Sequence, residues 1–146
     1  MKRQIPVQLA CLCGSFRQST RALSQVYESA LRPTGLRATQ FTVLQALSIT
    51  GEVTQSRLGE ILGIDSTTLT RTLEIMLRKG WIEARRGDDR RARWVQLSPA
   101  GQKQFHRAHP AWEKVQTRLR RQLGDAAWKD LLEMTHRVTE LVNRSK

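Results

Sequence analysis

The stretch Leu58-Gly59-Glu60-Ile61-Leu62-Gly63-Ile64-Asp65-Ser66-Thr67-Thr68-Leu69-Thr70-Arg71 decides the fold. Leu58, Ile61 and Leu62 put apolar side chains on one face of a short helix. Gly63 follows where a left-handed residue ends such a helix. Ile64-Asp65-Ser66 makes a turn, with Asp65 or Ser66 set to cap a second helix. That helix has Leu69, Leu73, Met76 and Leu77 on its buried side, and Ser66, Thr67, Thr70, Arg71 and Glu74 on its open side. Two helices joined through a Gly-containing turn, with small hydroxyls opening the second, describe a helix-turn-helix. The small residues would let the backbone approach the floor of a DNA major groove. Ser66, Thr67, Thr68 and Thr70 suit phosphates or base edges, and Arg71 suits a guanine taken bidentately. The helix N-terminus adds its own attraction for phosphate.

Downstream, Gly80 closes the second helix, and residues 81–86 and 91–97 read as two short strands around Gly87-Asp88-Asp89-Arg90. From Arg78 to Arg93 the basic residues Arg78, Lys79, Arg85, Arg86, Arg90, Arg91 and Arg93 face only Glu83, Asp88 and Asp89. A basic hairpin beside a reading helix is built to lay an Arg into a minor groove, where narrow segments concentrate negative potential. Arg86, Arg90, Arg91 and Arg93 are the candidate wing contacts. Asp89 is the candidate wing-shaping residue, an acceptor expected to orient Arg90 and leave Arg91 free at the tip.

Upstream, Leu9, Leu12, Phe16, Leu23, Val26 and Ala30 step mostly by three or four and predict a long amphipathic helix from Ile5 to the Pro33-Thr34-Gly35 break. Thr39 is the expected N-cap of a helix carrying Phe41, Leu44 and Leu47, and Val53-Thr54 is expected to open the helix of Leu58. Ser98-Pro99 starts another helix, a capping residue followed by proline at the first helical position, with a kink expected at Pro110. Gly124-Asp125 separates it from a last helix containing Trp128, Leu131, Leu132, Val138 and Leu141. The fold class is therefore mainly α with a small β-hairpin wing, in one domain over residues 1–146. A winged helix-turn-helix spans 36–98, flanked by dimerisation helices at 5–32 and 99–144. The terminal helices carry more apolar surface than a small head covers, which favours pairing with a second copy.

Composition agrees. Of 146 residues, 25 are Lys or Arg and 13 Asp or Glu, a net charge of +12 with Arg far outnumbering Lys. Such a surface attracts polyanions, of which nucleic acid is the commonest inside a cell; a basic peripheral membrane protein would fit the charge as well, and it is the helix-turn-helix that makes double-stranded DNA the expected partner. No nucleophile motif, phosphate loop or carboxylate pair points to an enzyme, and no cofactor is expected. His106 and His109 have the spacing of two metal ligands but lack a completing set, so no metal site is assigned. No stretch is apolar enough for a membrane span. The start, Met1-Lys2-Arg3 followed by residues 5–14, imitates a secretory leader only faintly, because Pro6 and Gln8 interrupt it. A cytoplasmic location is expected.

Asp89-Arg90-Arg91-Ala92-Arg93, with Val95-Gln96-Leu97-Ser98-Pro99-Ala100-Gly101, resembles the wing signature of the MarR family of bacterial transcription regulators. Leu36-Arg37-Ala38-Thr39-Gln40-Phe41-Thr42-Val43-Leu44 resembles that family's second helix, and residues 58–71 resemble its reading helices. The resemblance implies a homodimer with recognition helices in successive major grooves of a pseudo-palindromic site and wings in the minor groove. It also implies repression relieved by a small ligand or by oxidation. Phe16, Tyr27, Phe41 and Trp112 are the candidate walls of a pocket for a small aromatic or lipophilic effector. Cys11 and Cys13 are candidate redox residues: Cys13 stands fourteen residues before Tyr27, as in peroxide-sensing members, but Ala38 occupies the place of those sensors' second Tyr. Against that role, a helix starting near Pro6 puts both thiols beyond its first turn and about 200° apart. Packing as small hydrophobes is the favoured reading. The rival to a sequence-specific regulator is a non-specific architectural DNA-binding protein.

Overall fold

The computed structural model describes residues 10–144. The first helix, α1 (Leu12–Leu31), starts at Cys11, whose backbone is extended and whose Sγ accepts from the Gly14 N–H at 3.4 Å. Residues 5–9 of the expected helix lie outside the described residues, and Ala10 and Cys11 are not helical, so the start expected near Ile5 is corrected. The cap formed by Cys11 itself is the reason: it takes up one of the amides that a helix leaves unpaired at its start. A 3₁₀ turn at Arg32–Thr34 leads out of α1.

The second helix, α2 (Ala38–Thr50), buries Gln40, Phe41, Val43, Leu44, Ala46 and Leu47. Apolar on most sides, it is the central rod of the molecule. Thr39 does not cap it. Gln40 Oε1 accepts the Arg37 N–H at 3.0 Å, and Glu28 Oε2, from α1, accepts the Ala38 N–H at 2.8 Å. A carboxylate at a helix N-terminus makes a charge-assisted bond that a threonine hydroxyl cannot match.

Val53 and Thr54 do not open the next helix but form a short strand, β1 (Val53–Thr54). Thr54 then caps α3 (Gln55–Leu62) by accepting the Arg57 N–H at 3.2 Å. Leu58 is fully buried, whereas Ile61 is exposed rather than inward. Gly63 ends α3 with φ of 61°, a conformation that costs glycine nothing. The next helix, α4 (Ser66–Arg78), buries Leu69, Leu73 and Met76 as expected and half-buries Leu77.

Strands β2 (Ile82–Arg86) and β3 (Arg93–Leu97) form the hairpin, and β1 adds to its other side in the antiparallel order β1-β3-β2. The expected mainly helical fold with a small β-wing is thus the one observed, with one strand more. Ser98 caps α5 (Pro99–Leu123) by accepting the Gly101 N–H at 3.0 Å and donates to the Gly80 carbonyl. A Cβ at Gly101 would lie 1.8 Å from the Trp81 carbonyl oxygen, so only glycine lets α5 cross the end of α4 there. The helix runs on as one element through Pro110. The last helix, α6 (Asp125–Arg144), buries none of its residues and leaves Leu131, Leu132, Met134, Leu141 and Val142 exposed.

Candidate nucleic-acid interface

The reading helix α4 is presented by its cap. Asp65 Oδ1 accepts the Thr68 N–H at 2.9 Å and Oδ2 accepts the Thr68 hydroxyl at 2.6 Å. These bonds, the hydroxyl's first, hold the Asp65 carboxyl below its ordinary pKa, so it stays ionised. The sequence offered Ser66, Thr67, Thr68, Thr70 and Arg71 as contacts, and the structure divides them. Ser66, Thr67 and Arg71 are exposed, and no described residue bonds their side chains. Thr68 is engaged by Asp65. The Thr70 hydroxyl donates to the Ser66 carbonyl at 2.8 Å and accepts from Gln55 Nε2 at 2.9 Å, which commits its one donor inside the head.

The wing is shaped from its own turn. Asp89 Oδ1 accepts the Arg91 N–H at 3.0 Å, the Asp89 carbonyl accepts the Ala92 N–H at 2.9 Å, and the Ala92 carbonyl accepts the Gly87 N–H at 3.0 Å. The expected partner of Asp89, the Arg90 side chain, is therefore corrected to the backbone of Arg91. A short carboxylate reaches the amide two residues on more readily than a long flexible guanidinium folds back. Arg86 and Arg93 stand directly opposite each other across β2 and β3. Like charges so placed repel, and an incoming phosphate relieves the repulsion. With Arg90 and Arg91 they line a groove of about 490 Å³.

Two further groups tie wing to head. Arg85 holds Glu52 by two bonds, Nε to Oε1 at 2.6 Å and Nη2 to Oε2 at 2.7 Å, and lies over the Trp94 ring at 5.3 Å. That pairing lowers the Glu52 pKa and raises the Arg85 pKa, so both remain charged. Gln55, besides bonding Thr70, accepts from Arg93 Nη1 at 3.5 Å and so stands between reading helix and wing. Nothing in the sequence singled out Gln55 or Glu52, and Arg85 was counted only as one more positive charge. An open trough of about 1090 Å³ runs between the helix-turn-helix and the wing. It is lined by Gln55, Asp65, Ser66, Arg91 and Arg93, and by Asn143 of α6.

Away from this face, Tyr27, Phe41 and Trp112 line a cleft of about 350 Å³ between α1, α2 and α5. Phe16, one turn nearer the start of α1, is not among its walls. Burial raises the Tyr27 pKa and keeps it a neutral phenol. Cys11 and Cys13 are free and exposed, so neither packs as a buried hydrophobe. Cys11 stands at the N-cap, and Cys13 Sγ accepts from Arg17 Nη2 at 3.7 Å. Both thiols therefore sit at the helix entrance, and the angular separation expected of two mid-helix residues does not apply. His109 meets the Phe105 ring edge-on at 5.6 Å and the Trp112 ring at a tilt at 5.2 Å between centroids. Among the described residues no group of three or more His, Cys, Asp or Glu is placed to hold a metal ion, and no helix is long and apolar enough to cross a membrane.

Known proteins share this arrangement. Residues 34–92 match the model of the MarR family. The chain is 31% identical over 94 residues to the uncharacterised HTH-type transcriptional regulator YwoH of Bacillus subtilis, an alignment covering 64% of this chain and 69% of that protein. It is 40% identical over 72 residues to the multiple antibiotic resistance protein MarR of Salmonella typhimurium, 49% of this chain and 50% of that one. The crystal structure of the M. tuberculosis transcriptional regulator MosR in complex with DNA has a TM-score of 0.77 to it at 33% identity. That match covers 90% of this chain and 98% of the other. Bearing a reading helix, an arginine wing and these likenesses, the chain belongs to the MarR family and is a DNA-binding transcriptional regulator.

Proposed function

We propose that the protein is a homodimeric repressor that occupies a pseudo-palindromic operator and leaves it when a small ligand binds or a thiol is oxidised. One observation carries the proposal: Ser66 of α4 and Arg91 and Arg93 of the wing line a single trough, and no described residue bonds the side chains of Ser66, Thr67, Arg71 or Arg91. Ser66, Thr67 and Arg71 read the major groove, while Arg86, Arg90, Arg91 and Arg93 follow the minor groove. Asp89 holds the turn that presents Arg91. Residues 36–98 form the reading head, and the terminal helices pair with those of a second copy. The exposed Leu131, Leu132, Leu141 and Val142 of α6 and Leu12 and Leu23 of α1 support that pairing. A two-fold dimer sets two reading helices one turn of DNA apart.

Release has two candidate inputs. The cleft of Tyr27, Phe41 and Trp112 joins the helix α1 to the head helix α2, so an occupant there bears on both. Cys11 and Cys13 are exposed at the entrance of the same α1 and so open to an oxidant. The deciding experiment is an anisotropy titration at fixed salt with duplex from upstream of the protein's own gene and with random duplex. A specific regulator prefers one site by ~10³-fold or more, and equal affinities would make it a non-specific architectural protein instead. Repeating the titration with peroxide, on wild type and on Cys11→Ser and Cys13→Ser, separates the thiol input from the ligand input.

A further inference from the structure

The cleft between α1, α2 and α5 has walls of a definite chemistry. Phe41 and Trp112, stacked on each other at 5.8 Å between centroids and 26° between planes, both line it. Its volume, about 350 Å³, suits one substituted aromatic ligand. Five neutral polar groups line it: Thr42, whose hydroxyl donates to the Ala38 carbonyl at 2.9 Å, and four others, Thr20, Ser24, Tyr27 and Gln116. No described residue hydrogen-bonds the side chains of those four. Among the described residues no Lys, Arg or His lines the cleft.

The ion pair next to Tyr27 in sequence stands outside the lining residues and supplies no free cation to them. Glu28 follows Tyr27 on α1. Burial alone would raise its carboxyl pKa, but bonds from the Ala38 N–H and the Arg37 guanidinium outweigh burial and lower it, so it is ionised at neutral pH. Arg37 is consumed in that pair at 2.8 Å. A carboxylate entering the cleft would lose hydration and meet no cationic group among the described lining residues. A neutral ligand would meet donors and acceptors that are already unpaired.

From this we infer that the cleft takes an uncharged aromatic ligand bearing hydrogen-bonding substituents and rejects the corresponding aromatic carboxylate. The inference rests on the reading of this cleft as the effector site. It runs against the bulk field, since a chain of net charge +12 attracts anions everywhere else.

Calorimetric titration of the full chain with two matched pairs tests it: 4-hydroxybenzamide against 4-hydroxybenzoate, and 1-naphthamide against 1-naphthoate. Each pair keeps ring and size and differs by one charge. The amide is expected to bind about ten-fold or more tighter than its acid. Gln116→Leu is expected to weaken the amide about five-fold or more while DNA affinity without ligand stays unchanged. Equal or tighter binding of the acids overturns the charge selectivity and leaves the cleft standing as a ligand site. Amide binding that ignores both Gln116→Leu and Thr20→Val places the ligand elsewhere and overturns the inference. Failure of all four probes to bind overturns both the inference and the effector reading beneath it.

Discussion

Arg71 projects from the exposed side of α4 one turn beyond Thr67, and Arg91 stands at the wing with its amide fixed by Asp89. If the first reads a base edge and the second the minor groove, their removal should differ in kind. Arg71→Ala is expected to relax preference at one base position by ~1–3 kcal/mol, and Arg91→Ala to weaken all sites more evenly with a shallower salt dependence. A site-selection experiment returning the same consensus with and without Arg71 would remove it from recognition. Gly101 belongs to the same scale. A Cβ there would collide with the Trp81 backbone rather than with a movable side chain. Gly101→Ala is expected to destabilise the fold by ~3 kcal/mol or more, measured by urea unfolding, and a near-wild-type midpoint would contradict that close approach.

Elements are joined by few but well-placed bonds. Gln55, the first residue of α3, bonds Thr70 of α4 and contacts Arg93 of β3. In a double-mutant cycle on operator affinity, Gln55→Leu and Thr70→Val together should lose ~0.5–1.5 kcal/mol less than their sum. Strict additivity would mean the bond does nothing for DNA binding. Glu28 links α1 to α2. Its ordinary pKa is 4.5 and the folded value lies lower. The stability it contributes is therefore complete above 4.5 and is lost as pH falls below 4.5 through the folded pKa. Wild type should exceed Glu28→Gln in unfolding free energy at pH 6.5, with the gap closing toward pH 3, where protonated Glu and Gln are alike. A gap independent of pH would show that shape, not charge, joins the two helices.

At the scale of the molecule, one cluster from Leu31 to Ala108 welds α1, α2, the reading helices, the sheet and the first half of α5 into a unit. Beyond it α6 leaves Leu131, Leu132, Met134 and Val142 exposed. Such a face is stable when a second copy covers it, because each buried Leu or Val contributes ~1.5–3 kcal/mol. Leu131→Glu with Leu141→Glu should turn a dimer into a folded monomer by light scattering and cost most of the operator affinity. A wild-type chain that is monomeric at micromolar concentration would end the two-fold model.

The sequence alone determined the six helices, the capped turn at Gly63 to Asp65, the Ser98-Pro99 start and the basic hairpin. All rest on neighbours within a few residues: helical spacing puts Leu69, Leu73 and Met76 on one face whatever the rest of the chain does. Only tertiary structure decided that Val53-Thr54 is a strand, since two residues carry no period and their partners Val95 and Trp94 come some forty positions later. It likewise decided that Glu28 rather than Thr39 caps α2, and that Thr68 and Thr70 are engaged by Asp65 and Gln55 while no described residue bonds the side chains of Ser66, Thr67 and Arg71. It set Phe16 outside the cleft and Cys11 at a helix entrance. Periodicity records which side of an element meets the core, whereas caps, strand pairs and the free or engaged state of a polar side chain depend on which distant group folding brings within 3 Å.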